Sequence, residues 1–66
     1  MKLVLNGEAC EVEDGITVDR LAMSVLDRPK GVAVAVNGEV VPRSAWPTTA
    51  LRDDDQVEVV TAKQGG

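Results

Sequence analysis

Two Asn-Gly dipeptides constrain this chain more than any other feature. Asn6-Gly7 and Asn37-Gly38 each stand between short runs rich in apolar residues. A two-residue type I′ hairpin turn needs positive φ at both central positions, and Asn followed by Gly meets that need at low steric cost. The first dipeptide predicts a strand over Lys2–Asn6, a turn, and a strand over Glu8–Val12. Side chains alternate along a strand, so Leu3 and Leu5 face one side and Val4 the other. The second dipeptide joins a strand over Val32–Val36 to a short one over Glu39–Val41. Pro42 ends that strand, because proline has no N–H for the ladder.

Between the hairpins the apolar spacing changes period. Val18, Leu21, Ala22, Val25 and Leu26 fall at i, i+3, i+4, i+7 and i+8, the single stripe of an amphipathic helix. Thr17 is the expected N-cap, Asp19 lies in the first turn where the helix dipole favours an anion, and Arg28 and Pro29 close the helix. Residues Pro42 to Leu51 contain Trp46, two prolines and small polar residues, which predicts an irregular segment with one 3₁₀ turn. Asp53-Asp54-Asp55 reads as a turn, and Gln56–Thr61 alternates as a last strand with Val57, Val59 and Thr61 inward. The expected class is α+β: hairpin, helix, hairpin, strand, a ββαββ mixed sheet with one helix across one face. The helix crossover brings the third strand into the sheet, and the last strand then fits between the hairpins. Val32, Val34 and Val36 face the helix. Residues 1–61 form the domain and 62–66 a flexible tail.

Composition removes most functional classes. A chain of 66 residues makes one domain that buries only about 60% of its unfolded surface, too little for a deep self-contained active site. There is no His, so the usual general base is missing and a zinc site would need carboxylates alone. The single Cys10 excludes an internal disulfide framework. A net charge of −4, with basic residues spread singly and one aromatic residue, does not fit a nucleic-acid surface. The longest apolar run, Val32 to Val36, is far below the roughly 20 residues of a membrane span. The opening Leu3-Val4-Leu5 is too short for a signal-peptide core, so the expected location is the cytoplasm, where Cys10 stays reduced.

Individual candidates fare no better. Cys10 sits in a strand beside Glu11, which disfavours a thiolate, and reads as a small inert strand residue. Asp53, Asp54 and Asp55 lack the alternating ligands and distal Glu of a calcium loop. The glycines at 7, 15, 31 and 38 are isolated and build no phosphate loop. Trp46 is either a partner hot spot or, as the only large aromatic residue, the seal of one end of the core. No metal site emerges.

What remains is Gly65-Gly66 at the end of the sequence, a few polar residues past the last strand. Two glycines lose more backbone freedom on ordering than any other pair, so they seldom help an end to fold. Plain fraying accounts for such an end. So does threading: five residues at roughly 3.3 Å each reach about 16 Å, and glycines carry no side chain to block a narrow channel in a partner.

The element order and the diglycine end resemble the ubiquitin-like β-grasp sulfur carriers. Within them, Val34-Ala35-Val36-Asn37-Gly38-Glu39-Val40-Val41-Pro42-Arg43-Ser44-Ala45-Trp46, then Asp53-Asp54-Asp55-Gln56-Val57-Glu58-Val59-Val60 and Gly65-Gly66, are similar to the ThiS family of thiamine biosynthesis. One departure is Asp54, where that family usually has Gly; Asp is among the side chains that best tolerate a left-handed backbone. The resemblance implies a protein co-substrate and not an enzyme. An E1-like adenylyltransferase of ThiF type joins the C-terminal carboxylate of Gly66 to AMP, using its own ATP and Mg²⁺. A sulfur donor protein then leaves a thiocarboxylate, and a thiazole synthase of ThiG type takes the sulfur for the thiazole ring. The carrier itself binds no cofactor. Gly66 is then the reacting residue, Gly65 keeps the approach clear, and Lys63 and Gln64 are tail contacts. Partner binding is also expected on the sheet face away from the helix, where alternation puts Val4, Ala33, Ala35, Glu58 and Val60. The negative charge steers such a carrier toward basic surfaces. Carriers for molybdopterin or cysteine synthesis, ubiquitin-like conjugation, and a β-grasp binding or regulatory module remain as alternatives.

Overall fold

The computed structural model describes residues 1–25 and 31–61. Strands β1 (Lys2–Leu5) and β2 (Glu8–Glu11) form the first hairpin, followed by helix α1 (Val18–Val25). Strands β3 (Val32–Val36) and β4 (Glu39–Val41), a 3₁₀ helix over Arg43–Thr48 and strand β5 (Gln56–Thr61) complete the order. This is ββαβββ, the hairpin, helix, hairpin and last strand expected, with five strands where the shorthand ββαββ counts four; β4 pairs with β3 along its whole length. The sheet runs β2-β1-β5-β3-β4. As expected, β5 lies between the hairpins, parallel to β1 and antiparallel to β3.

Both hairpin turns have the backbone that type I′ demands. Asn6 and Gly7 have φ of 50° and 82°, and Asn37 and Gly38 have φ of 51° and 87°. A Cβ added at Gly7 or Gly38 would meet nothing within 4 Å, so glycine is needed there for conformation and not for space. Asp54 is also left-handed, with φ of 70°, as its place in the acidic turn requires. That turn is tied in by its neighbours. The Asp53 carboxylate accepts from the Lys2 N–H at 2.8 Å, and Asp55 accepts from the Arg52 N–H at 2.8 Å.

Helix α1 starts where Thr17 caps it, its Oγ1 accepting from the Arg20 N–H at 3.3 Å. One side of α1 buries Val18, Leu21 and Ala22 against Leu3, Val34 and Val57 of the sheet. Val25 departs from the expected stripe: it is 44% exposed, three residues beyond Ala22, the last buried residue of α1. Leu26, Arg28 and Pro29 lie outside the described residues. Thr61, expected to face inward, is exposed at the end of β5, where the strand has run past the core.

The 3₁₀ helix is longer than the single turn expected, six residues or about two turns. It closes the end of the core with Trp46, which is 2% exposed and donates from Nε1 to the Val41 carbonyl at 3.0 Å. The Arg43 guanidinium stacks 4.9 Å from the Trp46 ring centre. Trp46 is therefore the seal and not an exposed hot spot. A small antiparallel bridge, Thr17 to Ala50, ties this segment to the start of α1. At the other end the N-terminal ammonium of Met1 donates to the Val12 carbonyl at 2.7 Å and to Asp14 at 3.0 Å. The hydrogen bond to Asp14 holds that ammonium above its ordinary value of 8.0, against a smaller opposing effect of desolvation.

Candidate functional site

Alternation along the strands divides the sheet into two surfaces. Leu3, Val34 and Val57 are fully buried under α1 and the 3₁₀ helix, with Leu5, Cys10, Val32, Val36, Val41 and Val59 packed around them. Cys10 is thus a half-buried member of the core rim, as its place in β2 suggested. The intervening residues face away from the helix. Register puts Ala33 opposite Val60, Ala35 opposite both Glu58 and Val40, and Val4 opposite both Ala9 and Gln56.

This open face is where Val4 and Val60 were expected, and both are there. Val60 is 56% exposed, next to Ala33 across the β3–β5 ladder. Val4 is half-buried in the neighbouring strand. The two alanines of β3 keep the middle of the face low, so Val60 and Glu58 stand above it on the central strand. The most exposed apolar residue of the face, Val40 at 72%, was read from the sequence only as a strand residue. Its face follows from counting through the two-residue turn. Val36 pairs with Glu39, so Ala35 must pair with Val40, and the two share a side.

The second half of the expected site is the segment after β5. Lys63, Gln64, Gly65 and Gly66 lie outside the described residues. The structure fixes where that segment starts, since β5 ends at Thr61, opposite Val32 of β3. Near this exit Asn6 reaches across from the first turn. Its Oδ1 accepts from the Val59 N–H at 2.9 Å, and its Nδ2 donates to the Val59 carbonyl at 3.3 Å. Sequence reasoning assigned Asn6 only to its turn. Nothing in the local sequence points to a partner 53 residues away.

No group of three or more metal-ligating side chains comes together among the described residues. Among those residues no helix is long and apolar enough to cross a membrane. The geometry offers an open sheet face and a central strand, β5, that ends at Thr61.

Relatives agree with this arrangement. A thiazole synthase from Magnetococcus marinus is 42% identical over 66 residues, which are all of this chain but 20% of that protein. The chain thus spans about a fifth of the length of the thiazole synthases it matches. The sulfur carrier protein ThiS of Escherichia coli is 32% identical over 66 residues, covering both chains fully. Among solved structures, the crystal structure of the thiamine biosynthesis protein ThiS from Geobacter metallireducens superposes over 100% of both chains, with a TM-score of 0.88 and 32% identity. A comparison with protein families matches residues 3–66 to the ThiS family. With the sheet order, the covering helix and the full-length match in agreement, this chain belongs to the ThiS family.

Proposed function

We propose that this protein is a sulfur carrier of thiamine biosynthesis and that its reacting group is the α-carboxylate of Gly66. A carboxylate is a poor electrophile because an oxide will not leave it. An E1-like adenylyltransferase of ThiF type removes that obstacle: the carboxylate attacks the α-phosphorus of ATP, pyrophosphate departs, and an acyl-adenylate forms. The outer sulfur of a donor protein's persulfide then attacks the acyl carbon and AMP leaves; a thiol attacks the donor's inner sulfur, forms a disulfide with it and releases the thiocarboxylate on Gly66. ATP and Mg²⁺ are held by the activating enzyme, and the carrier contributes no cofactor. The sulfur acceptor is a thiazole synthase of ThiG type, which builds the thiazole ring.

The observation that carries this reading is the family match running through Gly66 on a domain built like a known ThiS protein from end to end. The identity to thiazole synthases over a fifth of their length supports such an enzyme as the partner. In this scheme Val4 and Val60 on the open face dock the carrier, Lys63 and Gln64 contact the channel, and Gly65 presents no side chain to obstruct it. The acidic balance of the chain favours basic partner surfaces and acts more on the rate of encounter than on affinity.

The test is an intact mass after incubation with the activating enzyme, ATP and a sulfur donor. Replacement of one oxygen by sulfur, mapped to Gly66, is the expected result. No replacement, with an activating enzyme that loads another carrier, overturns the proposal. Removal of Gly65-Gly66 abolishes sulfur acceptance and shifts Tm by less than about 2 °C, since every buried residue described lies between Leu3 and Val57.

A further inference from the structure

Asn-Gly is a chemically labile pair as well as a turn signal. Glycine has no side chain to hinder its nitrogen, so that nitrogen attacks the Asn amide carbon, expels ammonia and closes a cyclic succinimide. Water then opens the ring at either carbonyl and leaves aspartate or isoaspartate. Asn6-Gly7 and Asn37-Gly38 are both exposed at the tips of their hairpins. With nothing within 4 Å of a Cβ added at either glycine, no neighbour crowds the reacting atoms.

The two amides are held in different ways. Asn6 gives both polar atoms to main chain: Oδ1 accepts from the Val59 N–H at 2.9 Å and Nδ2 donates to the Val59 carbonyl at 3.3 Å. Asn37 divides its atoms. Its Oδ1 accepts from the Gln56 N–H at 3.0 Å, but its Nδ2 donates to the Asp55 carboxylate at 3.0 Å. A carboxylate accepts hydrogen bonds and donates none. Conversion of Asn6 keeps the acceptor for the Val59 N–H and loses only the longer bond, to a neutral carbonyl. Conversion of Asn37 sets a second carboxylate against Asp55, where like charges repel. Asp55 is itself anchored, since its other oxygen accepts from the Arg52 N–H at 2.8 Å. The strand that follows Gly38 is β4, a three-residue strand at the edge of the sheet, with little else to hold it in register.

We propose that Asn37 is a modification site: attack by the Gly38 nitrogen converts it to aspartate or isoaspartate and unlocks the β3–β4 turn from the start of β5. The Gly38 nitrogen gives up its proton and bonds to Cγ of Asn37, the Cγ–Nδ2 bond breaks, and Nδ2 leaves as ammonia. Solvent water, the one co-reactant, then opens the ring. The step requires the amide to leave Gln56 and Asp55. Asn37 and Gly38 line a cleft of about 280 Å³ with Gln56 and Glu58, so the released side chain has room to turn within the folded domain. Such bonds add little net stability each, so release does not need unfolding. Isoaspartate has the larger effect. It adds a carbon to the main chain of a two-residue turn whose length sets the pairing of Val36 with Glu39.

The test incubates the full chain in mildly alkaline buffer below its Tm, beside the same chain in denaturant. Trypsin separates the two sites, because residues 31–43 carry Asn37 and residues 3–20 carry Asn6. Exchange of amide for carboxyl is read as a mass gain in segment 31–43. In the folded chain it accumulates about tenfold more slowly than in denaturant, the hold of two exposed hydrogen bonds. A rate more than about a hundredfold below that in denaturant, or equal to it, overturns the proposal. Asn37→Asp supplies the aspartate product directly. It lowers Tm by about 5–10 °C, and Asn6→Asp lowers it by less than half as much. Asn37→Asp combined with Asp55→Asn exchanges donor and acceptor across the same contact, so it recovers at least half of the lost Tm. Equal losses at the two asparagines, or a double variant no more stable than Asn37→Asp, each overturns the proposal.

Discussion

Val57 and Val60 are the same residue three positions apart in one strand, yet their surroundings have nothing in common. Val57 is 1% exposed beneath α1, and Val60 is 56% exposed on the opposite side of the sheet. The same contrast separates Val34 from Val40 across the second hairpin. A pleated strand serves two surfaces at once, so neighbouring residues of similar chemistry have separate tasks. The covered face holds the domain together. The open face, with Val4, Val60 and Val40 around the two alanines of β3, contributes no residue to the buried core. In a domain with so little material, this separation lets open-face residues change without endangering the fold.

The sharpest way to break the covered side is Trp46→Ala. Stability of about 0.05–0.15 kcal/mol per residue gives a chain of this length roughly 3–10 kcal/mol. Loss of the indole costs about 3–5 kcal/mol and frees the Val41 carbonyl, so much of that margin disappears. Thermal unfolding should show Tm lower by at least about 12 °C, at about 4–8 °C per kcal/mol. A shift of only a few degrees would mean that Trp46 does not seal the core.

The comparison itself is tested by the same change on both faces. Val57→Ala removes buried methyl groups and leaves a cavity, costing about 2 kcal/mol. Val60→Ala, with its side chain in solvent, costs under about 1 kcal/mol, mostly strand preference. Binding to the activating enzyme is expected to reverse the order, with Kd about tenfold weaker for Val60→Lys while Tm stays within about 2 °C. If Val57→Ala weakened binding more than Val60→Lys at a temperature where both are folded, the division between the faces would be wrong.

How far these faces were legible in the sequence depends on the distance over which each signal acts. The turns at Asn6-Gly7 and Asn37-Gly38 are local chemistry, and their backbone is as expected. The central place of β5 follows from topology, because the other four strands are already committed to hairpins. Alternation then assigned Leu3, Val34 and Val57 correctly to the core. It failed at element ends. Val25 and Thr61 keep the right phase, but they lie beyond Ala22 and Val57, the last buried residues of their elements, and a periodic pattern carries no information on how far burial extends. The clamp by Asn6 was invisible for a related reason: it depends on the register of a strand brought alongside only by the finished sheet. For Lys63, Gln64, Gly65 and Gly66 the sequence argument stands alone.

A smaller effect is expected where the covered side meets its edge. Thr17→Ala removes the hydroxyl that accepts from the Arg20 N–H, leaving one orphan donor in the first turn of α1. The expected cost is about 1 kcal/mol, and Thr17→Ser should recover most of it. Because the change lies on the helix, affinity for a partner docked on the open face should not move. A loss of affinity in Thr17→Ala without loss in Thr17→Ser would show that helix and open face are coupled.

The smallest effect comes from the N-terminus, which borders both faces. The Met1 side chain packs against the core, while its ammonium holds Val12 and Asp14. The folded ammonium has a pKa raised above 8.0, first by the hydrogen bond with Asp14. A raised folded pKa means that the proton is held more tightly in the folded chain than in the unfolded one. The resulting stabilisation is therefore full below pH 8 and is lost as pH rises through the folded value. Asp14 is highly exposed, so salt weakens the pair and the slope is shallow. Thermal unfolding of the wild type and Asp14→Asn, compared between pH 7 and pH 10 at low ionic strength, isolates this contribution. The difference in Tm between the two proteins should shrink as pH rises and shrink further with added salt. A difference that grows with pH would show that Asp14 stabilises the fold through something other than the ammonium.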